Sequence, residues 1–486
     1  MAILSHEVQD LGATPMSDAE PSTAEKAQES VFGLFNIHCE LTDMGNADRF
    51  TNVCGDDFRY CTLWHKWLYW DGKCWRIDES EAVVSRAMKF MRYCRSIARQ
   101  ASLPKKFADA LDEYLYKCES NAKIQAMLTL ARAKLSISPE ELDSNLWLFN
   151  CANGTVDLRT GEIEPAKRSD LITKMSPVSY GPMAECPQWE KFLREIMLDR
   201  GELIEFLQAY LGYCLTGKVS EQMFVIAYGL GENGKSVLAN TILHVMGSYA
   251  SELPMNMIMR KRGDDEKVEG MARFQGIRLA MFAEGEHGQQ LAEGKLKTLT
   301  GGDKINARYL YGETFEFEST CKIFLRTNRK PTIHGSDHAI WRRIRLLPFE
   351  WLVPPEKKDV ELFEKLKEEA AGILDWLIQG CVIWQKNGMP KSEVVAGQTE
   401  NYRQAEDPIG EFVALRCVVH EAECGNAKRM YDAYFSFCSD EKLKPLGKKN
   451  FNQTLEERGF VRRKSGEGYV WPGIDLKGEA AEEAPF

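Results

Sequence analysis

No two cysteines form a C-x-x-C pair in this 486-residue sequence. Its 14 cysteines lie singly between Cys39 and Cys438, a distribution typical of reduced, intracellular thiols and not of a zinc or disulfide scaffold. No apolar run approaches the ~18 residues that a membrane-spanning helix needs. Residues 1–30 also lack the basic and apolar stretches of a signal peptide. We therefore expect a cytosolic protein with no membrane partner.

The sequence also has no excess of positive charge. Lys and Arg number 62 against 72 Asp and Glu, which gives a net charge of −10. Bulk attraction to nucleic acid or to an anionic membrane is therefore absent, and a polyanionic partner has to be held by a local patch. With 44% hydrophobic residues and ordinary numbers of Gly and Pro, the chain is long enough for about three globular domains.

The first half of the sequence predicts a mixture of strands and helices. Aromatic and polar residues alternate over 58–77 around the turn sequence Asp71-Gly72, which predicts a β-hairpin. The aromatic side chains either pack on their own domain or stack on nucleic-acid bases. Helical spacing follows over 79–135, and Asn-Gly and Thr-Gly turns predict a second hairpin over 150–163.

Four short apolar runs in the second half predict buried strands of one sheet. They lie at 223–228, 278–283, 322–325 and 344–349, and a Gly-rich loop and a helical pattern follow the first. This alternation predicts an α/β nucleotide-binding core. The predicted organisation is a disordered leader (1–30), an N-terminal α+β domain (31–186), a helical segment (187–222), the core (223–355), a helical connector (356–407), a winged-helix-like domain (408–474) and an acidic tail (475–486).

The Gly-rich sequence from Gly229 to Ser236 matches the pattern G-x-x-x-x-G-K-[ST] between a predicted strand and a predicted helix. Backbone N–H groups of such a loop surround phosphates, together with the helix N-terminus. Lys235 would neutralise the β and γ phosphates of ATP, and Ser236 would offer its hydroxyl to Mg²⁺. The candidate phosphate-binding residues are Gly229, Gly231, Asn233, Gly234, Lys235 and Ser236.

A phosphate loop of this kind needs an acidic partner at the end of a neighbouring strand. Glu284 and Glu286 follow the predicted strand 278–283, and continued strand conformation would put both on one face. One could bind the magnesium ion while the other activates the attacking water. The sequence does not assign the two roles.

Two further elements fit a motor ATPase. Asn328 follows the run KIFLRT and could sense the γ-phosphate, or it could simply cap the strand. Arg342 and Arg343 precede the last apolar run, where a guanidinium could stabilise a transferring phosphoryl group held by a neighbouring subunit. The sequence does not distinguish the two arginines.

Positive charge is concentrated in one segment of the predicted core. Residues 297–345 hold ten Lys and Arg against five acidic residues. A basic surface of this kind can bind a phosphate backbone, and a solvated basic face is the alternative.

The end of the chain predicts a small separate unit. Helical spacing at 409–419, 428–440 and 448–458, followed by two strand-like runs, predicts three helices and a hairpin. Eight Lys and Arg residues lie within 442–464, which fits contact with duplex or origin DNA. Protein docking by a winged helix is an equal alternative.

These motifs together resemble the superfamily 3 DNA helicases of phages, plasmids and poxviruses, in the branch found as primase-helicases. The resemblance rests on GLGENGKS, FAEGE, KTLTGGDKINAR, FLRTNRKP and IWRRIRLLPF, in that branch's order and spacing. NGTVDLRTGEI, CPQWEKFLREI and FLQAYLGYCLTG are similar to the helical domain that precedes its motor, which would make 187–222 an oligomerisation collar. The resemblance covers 58–349 and extends more loosely to the C-terminal unit.

The resemblance implies an AAA+-like P-loop ATPase core that uses ATP and Mg²⁺. It identifies Glu284 and Glu286 with the magnesium-binding strand end, Asn328 with the sensor asparagine, and Arg342 or Arg343 with the arginine finger. It also implies a homo-hexameric ring that moves 3′ to 5′ along single-stranded or forked DNA. Phosphate contacts are then expected in the segment that leads into a channel-lining hairpin, at Lys297, Lys304 and Arg308.

The sequence thus predicts a replicative helicase of a phage, prophage or plasmid in the bacterial cytoplasm. Only about fifty residues precede the aromatic hairpin, so we expect no primer synthesis by this chain and a separately encoded primase as a partner. Two alternatives stay open. One is a ring ATPase that remodels DNA or protein without unwinding, and the other is a DNA-binding initiator that uses ATP as an assembly switch.

Overall fold

The computed structural model describes residues 40–260, 268–283, 290–308, 314–333, 338–441, 443, 445–466 and 468–478. The chain divides into two compact units, residues 1–156 with 163–175 and residues 157–162 with 176–486. The predicted leader and the last residues of the predicted tail lie outside the described residues. Among the described helices, none is both long and apolar enough to cross a lipid bilayer.

The first unit combines helices with two small sheets. Its described helices are α1 (Asp43–Cys54), α2 (Ala82–Gln100), α3 (Lys105–Cys118) and α4 (Asn121–Lys134). One sheet contains β1 (Phe58–Cys61), β2 (Lys66–Trp70), β3 (Trp75–Ile77) and β4 (Ser136–Ile137), in the order β3-β2-β1-β4. The other contains β5 (Leu148–Cys151), β6 (Gly154–Asp157) and β7 (Glu162–Glu164).

The predicted aromatic hairpin is confirmed as the pair β2 and β3, with Trp70 opposite Trp75. Trp67 and Trp75 are both buried. The indole N–H of Trp75 donates to the carbonyl of Arg168 at 2.9 Å. These two side chains therefore pack inside the first unit, as the packing alternative predicted, and are not exposed to nucleic-acid bases.

A five-stranded parallel sheet forms the centre of the second unit, and helices connect its strands. The elements in chain order are α5 (Pro187–Ile196), α6 (Gly201–Leu215), β8 (Phe224–Tyr228), α7 (Lys235–Met246), β9 (Ala250–Leu253), β10 (Leu279–Phe282), α8 (Glu293–Gly301), β11 (Lys304–Arg308), β12 (Thr314–Glu318), β13 (Lys322–Thr327), α9 (His338–Trp341) and β14 (Ile344–Pro348). The sheet order is β14-β8-β13-β10-β9, and β11 and β12 form a separate hairpin. The predicted mixed α/β class is confirmed.

The burial of each strand explains whether the sequence predicted it. Nearly every residue of β8, β10, β13 and β14 is buried, as expected for parallel strands that are covered on both faces. The edge strand β9 has Leu253 as its only buried residue. Its sequence Ala-Ser-Glu-Leu therefore carries no apolar run, and we did not predict it.

Helices and a second sheet complete the second unit. The elements are α10 (Leu362–Glu368), α11 (Ala370–Asn387), α12 (Glu393–Ala405), α13 (Pro408–Arg416), β15 (Cys417–Asn426), α14 (Ala427–Asp440), α15 (Lys448–Glu457), β16 (Arg463–Ser465) and β17 (Gly468–Leu476). The sheet order is β15-β17-β16, and both pairs are antiparallel. The helix predicted at 409–419 was wrong at its end, because Cys417 pairs with Leu476 and begins a strand.

Two glycines allow helices α6 and α11 to approach closely. A Cβ atom on Gly212 would lie 2.2 Å from the backbone nitrogen of Cys381, and one on Gly380 would lie 2.2 Å from the carbonyl oxygen of Gln208. Helix α6 also contacts the sheet, because the Tyr210 hydroxyl donates to the carbonyl of Ile323 in β13 at 2.7 Å. The glycine contact therefore fixes a helix that supports a central strand.

We predict that Gly212→Ala destabilises the protein by about 1 to 3 kcal/mol, because the added methyl group overpacks a backbone contact. Thermal unfolding followed by circular dichroism measures the effect. Gly201→Ala is the matched control, since a Cβ at this first position of α6 has nothing within 4 Å. Equal melting temperatures for the two variants would contradict the prediction.

Candidate nucleotide-binding site

The Gly229–Ser236 loop connects the carboxyl end of β8 to the first turn of α7. Strand β8 lies between β13 and β14, and all three run parallel. Ligands of open α/β sheets bind beyond the carboxyl ends of the strands. The loop therefore lies at the edge where such a sheet binds its ligand.

Three glycines of the loop have backbone surroundings that a side chain would disturb. Gly231 and Gly234 have positive φ angles of 107° and 83°. A Cβ on Gly234 would also lie 2.6 Å from Cγ2 of Ile196 in α5, and one on Gly229 would lie 2.2 Å from the carbonyl oxygen of Phe349. The loop conformation therefore depends on glycine at these positions.

Lys235 is 6% exposed and is held inside the loop. Its ammonium group donates to the carbonyl of Gly229 at 2.7 Å and to Oδ1 of Asn233 at 2.9 Å. The amide of Asn233 donates in turn to the carbonyl of Phe349, just beyond β14, at 3.1 Å. Asn233 therefore links the lysine to the neighbouring strand, and a phosphate that binds Lys235 has to replace these oxygen acceptors.

The next residue, Ser236, is exposed at the second position of α7. Its side chain lies one residue beyond the buried lysine, at the N-terminus of the helix. A hydroxyl group in this position is an oxygen ligand of the kind that Mg²⁺ prefers. Ser236 is thus suited to the Mg²⁺ ion that the sequence predicts. Its role as a ligand stays a prediction.

Asn328 lies beside the loop. Thr327 of β13 is opposite Tyr228 of β8 in parallel register, so the residues that follow both strands lie at one edge of the sheet. A Cβ on Gly231 would lie 4.0 Å from Nδ2 of Asn328. The structure thus brings the predicted sensor residue next to the glycines of the loop.

Lys330 is a further cation at this edge, and the sequence shows it only as one member of the basic segment 297–345. Its ammonium group lies 5.1 Å from the centre of the Tyr228 ring and 5.4 Å from that of Tyr402. Burial lowers the pKa of Lys330. The sequence could have identified Lys330 as a site residue from its position two residues after Asn328. Residues that follow a strand lie near the ends of the neighbouring strands.

The predicted acidic pair follows β10. Strand β10 ends at Phe282, which is opposite Leu325 of β13, so its carboxyl end lies at the same edge as the loop. Glu284 and Glu286 lie outside the described residues. Within the part of the chain that the structure describes, no group of three His, Cys, Asp or Glu side chains could hold a metal ion.

Arg342 and Arg343 differ in exposure. Arg342 is exposed and donates to Oε1 of Gln222 at 3.2 Å. Arg343 is buried and donates to the carbonyl of Ala339 at 2.8 Å. The sequence does not separate the two residues, whereas the structure shows that Arg342 is the more accessible side chain in a single chain.

Both arginines lie at the opposite edge of the sheet from their own loop. Ile344 is opposite Phe224, and Pro348 is opposite Tyr228. The arginines precede Ile344, whereas the loop follows Tyr228. Four steps of about 3.3 Å along β8 separate the two edges by about 13 Å. Both arginines are therefore separated from the loop of their own chain by the length of the sheet.

The basic segment 297–345 is not a continuous basic surface. Lys322, Arg326 and Arg343 are buried. Arg326 pairs with Glu252 of the edge strand. Lys322 donates to the carbonyls of Thr216 and Thr320. Three of the ten cations therefore hold the fold together and add no charge to the surface of this segment, and phosphate binding by the others stays a prediction.

The hairpin of β11 and β12 places Lys304 and Arg308 on its exposed face. Lys304 is opposite Glu318, Asn306 is opposite Glu316, and Arg308 is opposite Thr314. Two glutamates therefore share the face with the two cations, which reduces its attraction for phosphate. Lys297 lies apart from this face, half-buried in α8. A role of these three residues in DNA binding stays a prediction.

Three family models match the chain. Residues 47–198 match a family described as D5 N terminal like, and residues 404–470 match one described as Poxvirus D5 protein-like. Residues 227–343, which include the loop, match a family of unknown function.

Curated proteins of large DNA viruses are similar to about half of the chain. The protein provisionally named helicase L207/L206, from Acanthamoeba polyphaga mimivirus, is 29% identical over 294 residues, which cover 56% of this chain and 30% of that protein. The provisionally named helicase 184R of Invertebrate iridescent virus 6 is 26% identical over 53% of this chain and 28% of its own. The provisionally named primase C962R of African swine fever virus is 24% identical over 60% of this chain and 32% of its own. The chain thus spans about a third of the length of these relatives.

Among solved structures, the apo C-terminal region of NrS-1 aligns with 86% of this chain and 96% of its own length, at 11% identity and a TM-score of 0.47. The family models and the named relatives confirm the resemblance to the primase-helicase branch of superfamily 3.

The buried Lys322 generates a pH-dependent prediction. Burial lowers its pKa to about 7 in the folded protein, from about 10.4 in the unfolded chain. Between these values the unfolded chain binds one more proton than the folded protein, so Lys322 makes the free energy of unfolding rise with pH by about 1.4 kcal/mol per unit. Lys322→Met removes this contribution.

We therefore compare the melting temperature of the wild type with that of Lys322→Met at each pH. The wild-type value minus the variant value should be several degrees higher at pH 9 than at pH 6.5. Differential scanning fluorimetry at several pH values measures this difference. Lys386→Met replaces an exposed lysine and serves as the control, with no pH-dependent difference expected. A constant difference between wild type and Lys322→Met would show that Lys322 stays charged in the folded protein.

Proposed function

We propose that this chain is an ATP-dependent DNA helicase that works as a ring, with an AAA+-like P-loop ATPase core and a C-terminal winged-helix-like domain. One observation carries the proposal. The loop that contains Lys235 follows β8, and Asn328 follows the adjacent parallel strand, 4.0 Å from a Cβ position on Gly231. The provisional names of the viral relatives, helicase and primase, also support it.

The residues of the loop have defined tasks in this proposal. Backbone N–H groups and the N-terminus of α7 hold the phosphates of ATP. The ammonium group of Lys235 moves from its contacts with Gly229 and Asn233 to the β and γ phosphates. The amide of Asn328 orients the γ-phosphate. Mg²⁺, held through Ser236 and one of Glu284 and Glu286, would supply charge neutralisation, and the other glutamate would orient the attacking water.

The distance between Arg342, Arg343 and their own loop supports a site that is shared between subunits. An arginine at the opposite edge of the sheet can reach only the ATP that an adjacent subunit holds. Closure of such a head-to-tail contact produces a ring. We take six subunits and 3′ to 5′ movement from the resemblance, with Lys297, Lys304 and Arg308 as contacts to single-stranded DNA.

One observation favours a second candidate function. The glutamates opposite Lys304 and Asn306 reduce the charge of the hairpin face, which suits a ring ATPase that remodels DNA or initiates replication without processive unwinding. The named relatives come from viruses of eukaryotes, so a phage or plasmid origin, a bacterial cytoplasmic location and a separate primase stay predictions.

We predict that the purified protein hydrolyses ATP faster in the presence of single-stranded DNA and separates a forked duplex. Lys235→Ala should lower kcat/KM for ATP by about 10²- to 10³-fold, because a preorganised charge at the phosphates is lost. Glu284→Gln should bind ATP and DNA but fail to unwind. Lys386→Ala, at an exposed position of α11, is the matched control with expected wild-type rates.

Two results would replace the helicase proposal. ATP hydrolysis that does not respond to single-stranded DNA, without strand separation, would favour the remodelling ATPase. Site-specific duplex binding and biological activity that survive in Glu284→Gln would favour the initiator.

We predict that mixed subunits reconstitute the shared site. Lys235→Ala subunits lack a working loop but keep their arginines, whereas an arginine variant keeps its loop. A mixture of the two contains junctions with one intact loop and one intact arginine, so ATP hydrolysis should rise above that of either variant alone. Steady-state ATPase assays at varied mixing ratios measure the recovery.

Arg342→Ala and Arg343→Ala are tested separately in these mixtures. If mixing with Lys235→Ala subunits restores ATP hydrolysis to one arginine variant, the residue replaced in that variant is the arginine finger. A variant that is not rescued and has a lower melting temperature contains a structural arginine. Rescue of neither variant would contradict a shared site.

A further inference from the structure

Gln222 lies at the amino edge of the parallel sheet, in the turn between α6 and β8. Its side-chain carbonyl accepts hydrogen bonds from two guanidinium groups, those of Arg342 at 3.2 Å and Arg343 at 3.4 Å. The backbone holds the turn in place, because the N–H of Gln222 donates to the carbonyl of Val219 at 3.2 Å. The N–H of Phe224 in β8 donates to the carbonyl of Arg343 at 2.8 Å. One neutral oxygen atom thus joins two cations that precede β14 to the turn that precedes β8.

The backbone of Gln222 is in the left-handed region, with a φ angle of 48°. A side chain occupies this region at a cost in free energy, whereas glycine adopts it without that cost. Backbone outliers of this kind cluster at functional sites, where the surrounding structure holds them in place. The turn alone would favour glycine, yet the sequence has a long amide side chain there. The side chain, and not the turn, therefore accounts for glutamine at this position.

The two guanidinium groups are held to different extents. Arg343 is 7% exposed, and it also donates to the carbonyl of Ala339 at 2.8 Å. Arg342 is exposed, and within the part of the chain that the structure describes its guanidinium donates one hydrogen bond, to Gln222. Arg343 therefore fixes Gln222 from inside the protein, and Gln222 in turn holds Arg342.

We propose that Gln222 is a positioning residue for the arginine finger, and that Arg342 is the finger it positions. The inference rests on the proposed function, in which an arginine of one subunit acts on the ATP of the next. The contact with Gln222 uses one of the five N–H groups of the Arg342 guanidinium. The others stay available for the oxygen atoms of a transferring phosphoryl group. Gln222 thus orients Arg342 and leaves most of its donors for the phosphate.

The chemistry of the acceptor supports this role. A carboxylate beside two guanidinium groups would form charge-assisted hydrogen bonds, which are stronger than the bonds to an amide oxygen. It would also neutralise the positive charge that a finger brings to the transition state. An amide oxygen orients the guanidinium without a charge of its own. Glutamine therefore preserves the charge of Arg342 at some loss of stability, which a purely structural contact does not require.

The first experiment measures kcat and KM for ATP with the full-length protein and single-stranded DNA. The test variant is Gln222→Gly, because glycine favours the φ angle of this turn and the fold is retained when the acceptor is lost. kcat should fall by about 10- to 100-fold, because a hydrogen bond to a charged group is lost. KM should stay within about twofold, since the loop that binds ATP is unchanged. His65→Gly is the matched control, at an exposed position with a φ angle of 53°.

Gln222→Glu separates positioning from support of the fold. A carboxylate accepts more strongly from Arg342 and Arg343, so the melting temperature should equal or exceed that of the wild type. kcat should nevertheless fall about tenfold or more, because the charge of the finger is neutralised. A residue that only supports the fold would keep the wild-type kcat in this variant. Gln125→Glu makes the same charge change at an exposed position of α4 and should have wild-type rates.

Mixed subunits locate the defect. Gln222→Gly subunits keep their loop, and Lys235→Ala subunits keep Gln222 and Arg342. A mixture of the two contains junctions in which an intact loop meets an intact arginine, so ATP hydrolysis should rise above that of either variant alone. Activity that is lost through unfolding of a subunit is not restored in this way.

A kcat within about twofold of the wild type in Gln222→Gly or Gln222→Glu would overturn the inference. Rescue of Arg343→Ala in place of Arg342→Ala by Lys235→Ala subunits would also overturn it, and so would a Gln222→Gly defect that these subunits do not restore. Rescue of neither arginine variant would contradict the shared site of the proposed function, and the inference would fail with it. The arginine mixtures thus distinguish the two failures, because they test the shared site without changing Gln222.

Discussion

The parallel register of β8 with β13 and β14 is the constraint on which the candidate site depends. It aligns Tyr228 with Thr327 on one side and with Pro348 on the other. The chain therefore leaves three strands at one edge, where the glycine loop, Asn328 and the Phe349 carbonyl meet. The amide N–H of Asn233 donates to that carbonyl. This hydrogen bond fixes the position of Oδ1 of Asn233, which accepts from the Lys235 ammonium. Buried polar groups that are satisfied in this way hold the loop in one conformation before a ligand arrives.

The same register separates the arginines from the loop. A parallel strand has its two ends at opposite edges of the sheet, so residues before β14 cannot lie beside residues that follow β8. Arg342 and Arg343 contact Gln222, which precedes β8, and therefore belong to the amino edge. In a closed ring each junction would join the carboxyl edge of one core to an arginine of the next. Hydrolysis would then require the assembly. The loop of a single chain would belong to one shared site and its arginine to another.

The sequence predicted features that depend on neighbouring residues and missed those that depend on distant pairing. The loop was predictable because an apolar run, glycines at fixed spacing and a helical pattern lie within one short segment. Strand β9 was missed because only Leu253 is buried, and the burial of an edge strand depends on its single neighbour. Lys322 was counted as a surface cation because its burial is set by Thr216 and by its position on a central strand. The register that puts Glu318 opposite Lys304 is likewise invisible in a charge count along the chain.

The location of the cations is more informative than their number in an acidic protein. Charges act over about 8 Å at physiological ionic strength, so the overall charge of −10 repels a duplex only where acidic side chains lie near it. On α15 the lysines occupy the first turn and the acidic residues the last. The sign of the local charge therefore reverses along this one helix. The distribution of charge over an element thus decides which groups it can attract, and the net charge of the chain does not show it.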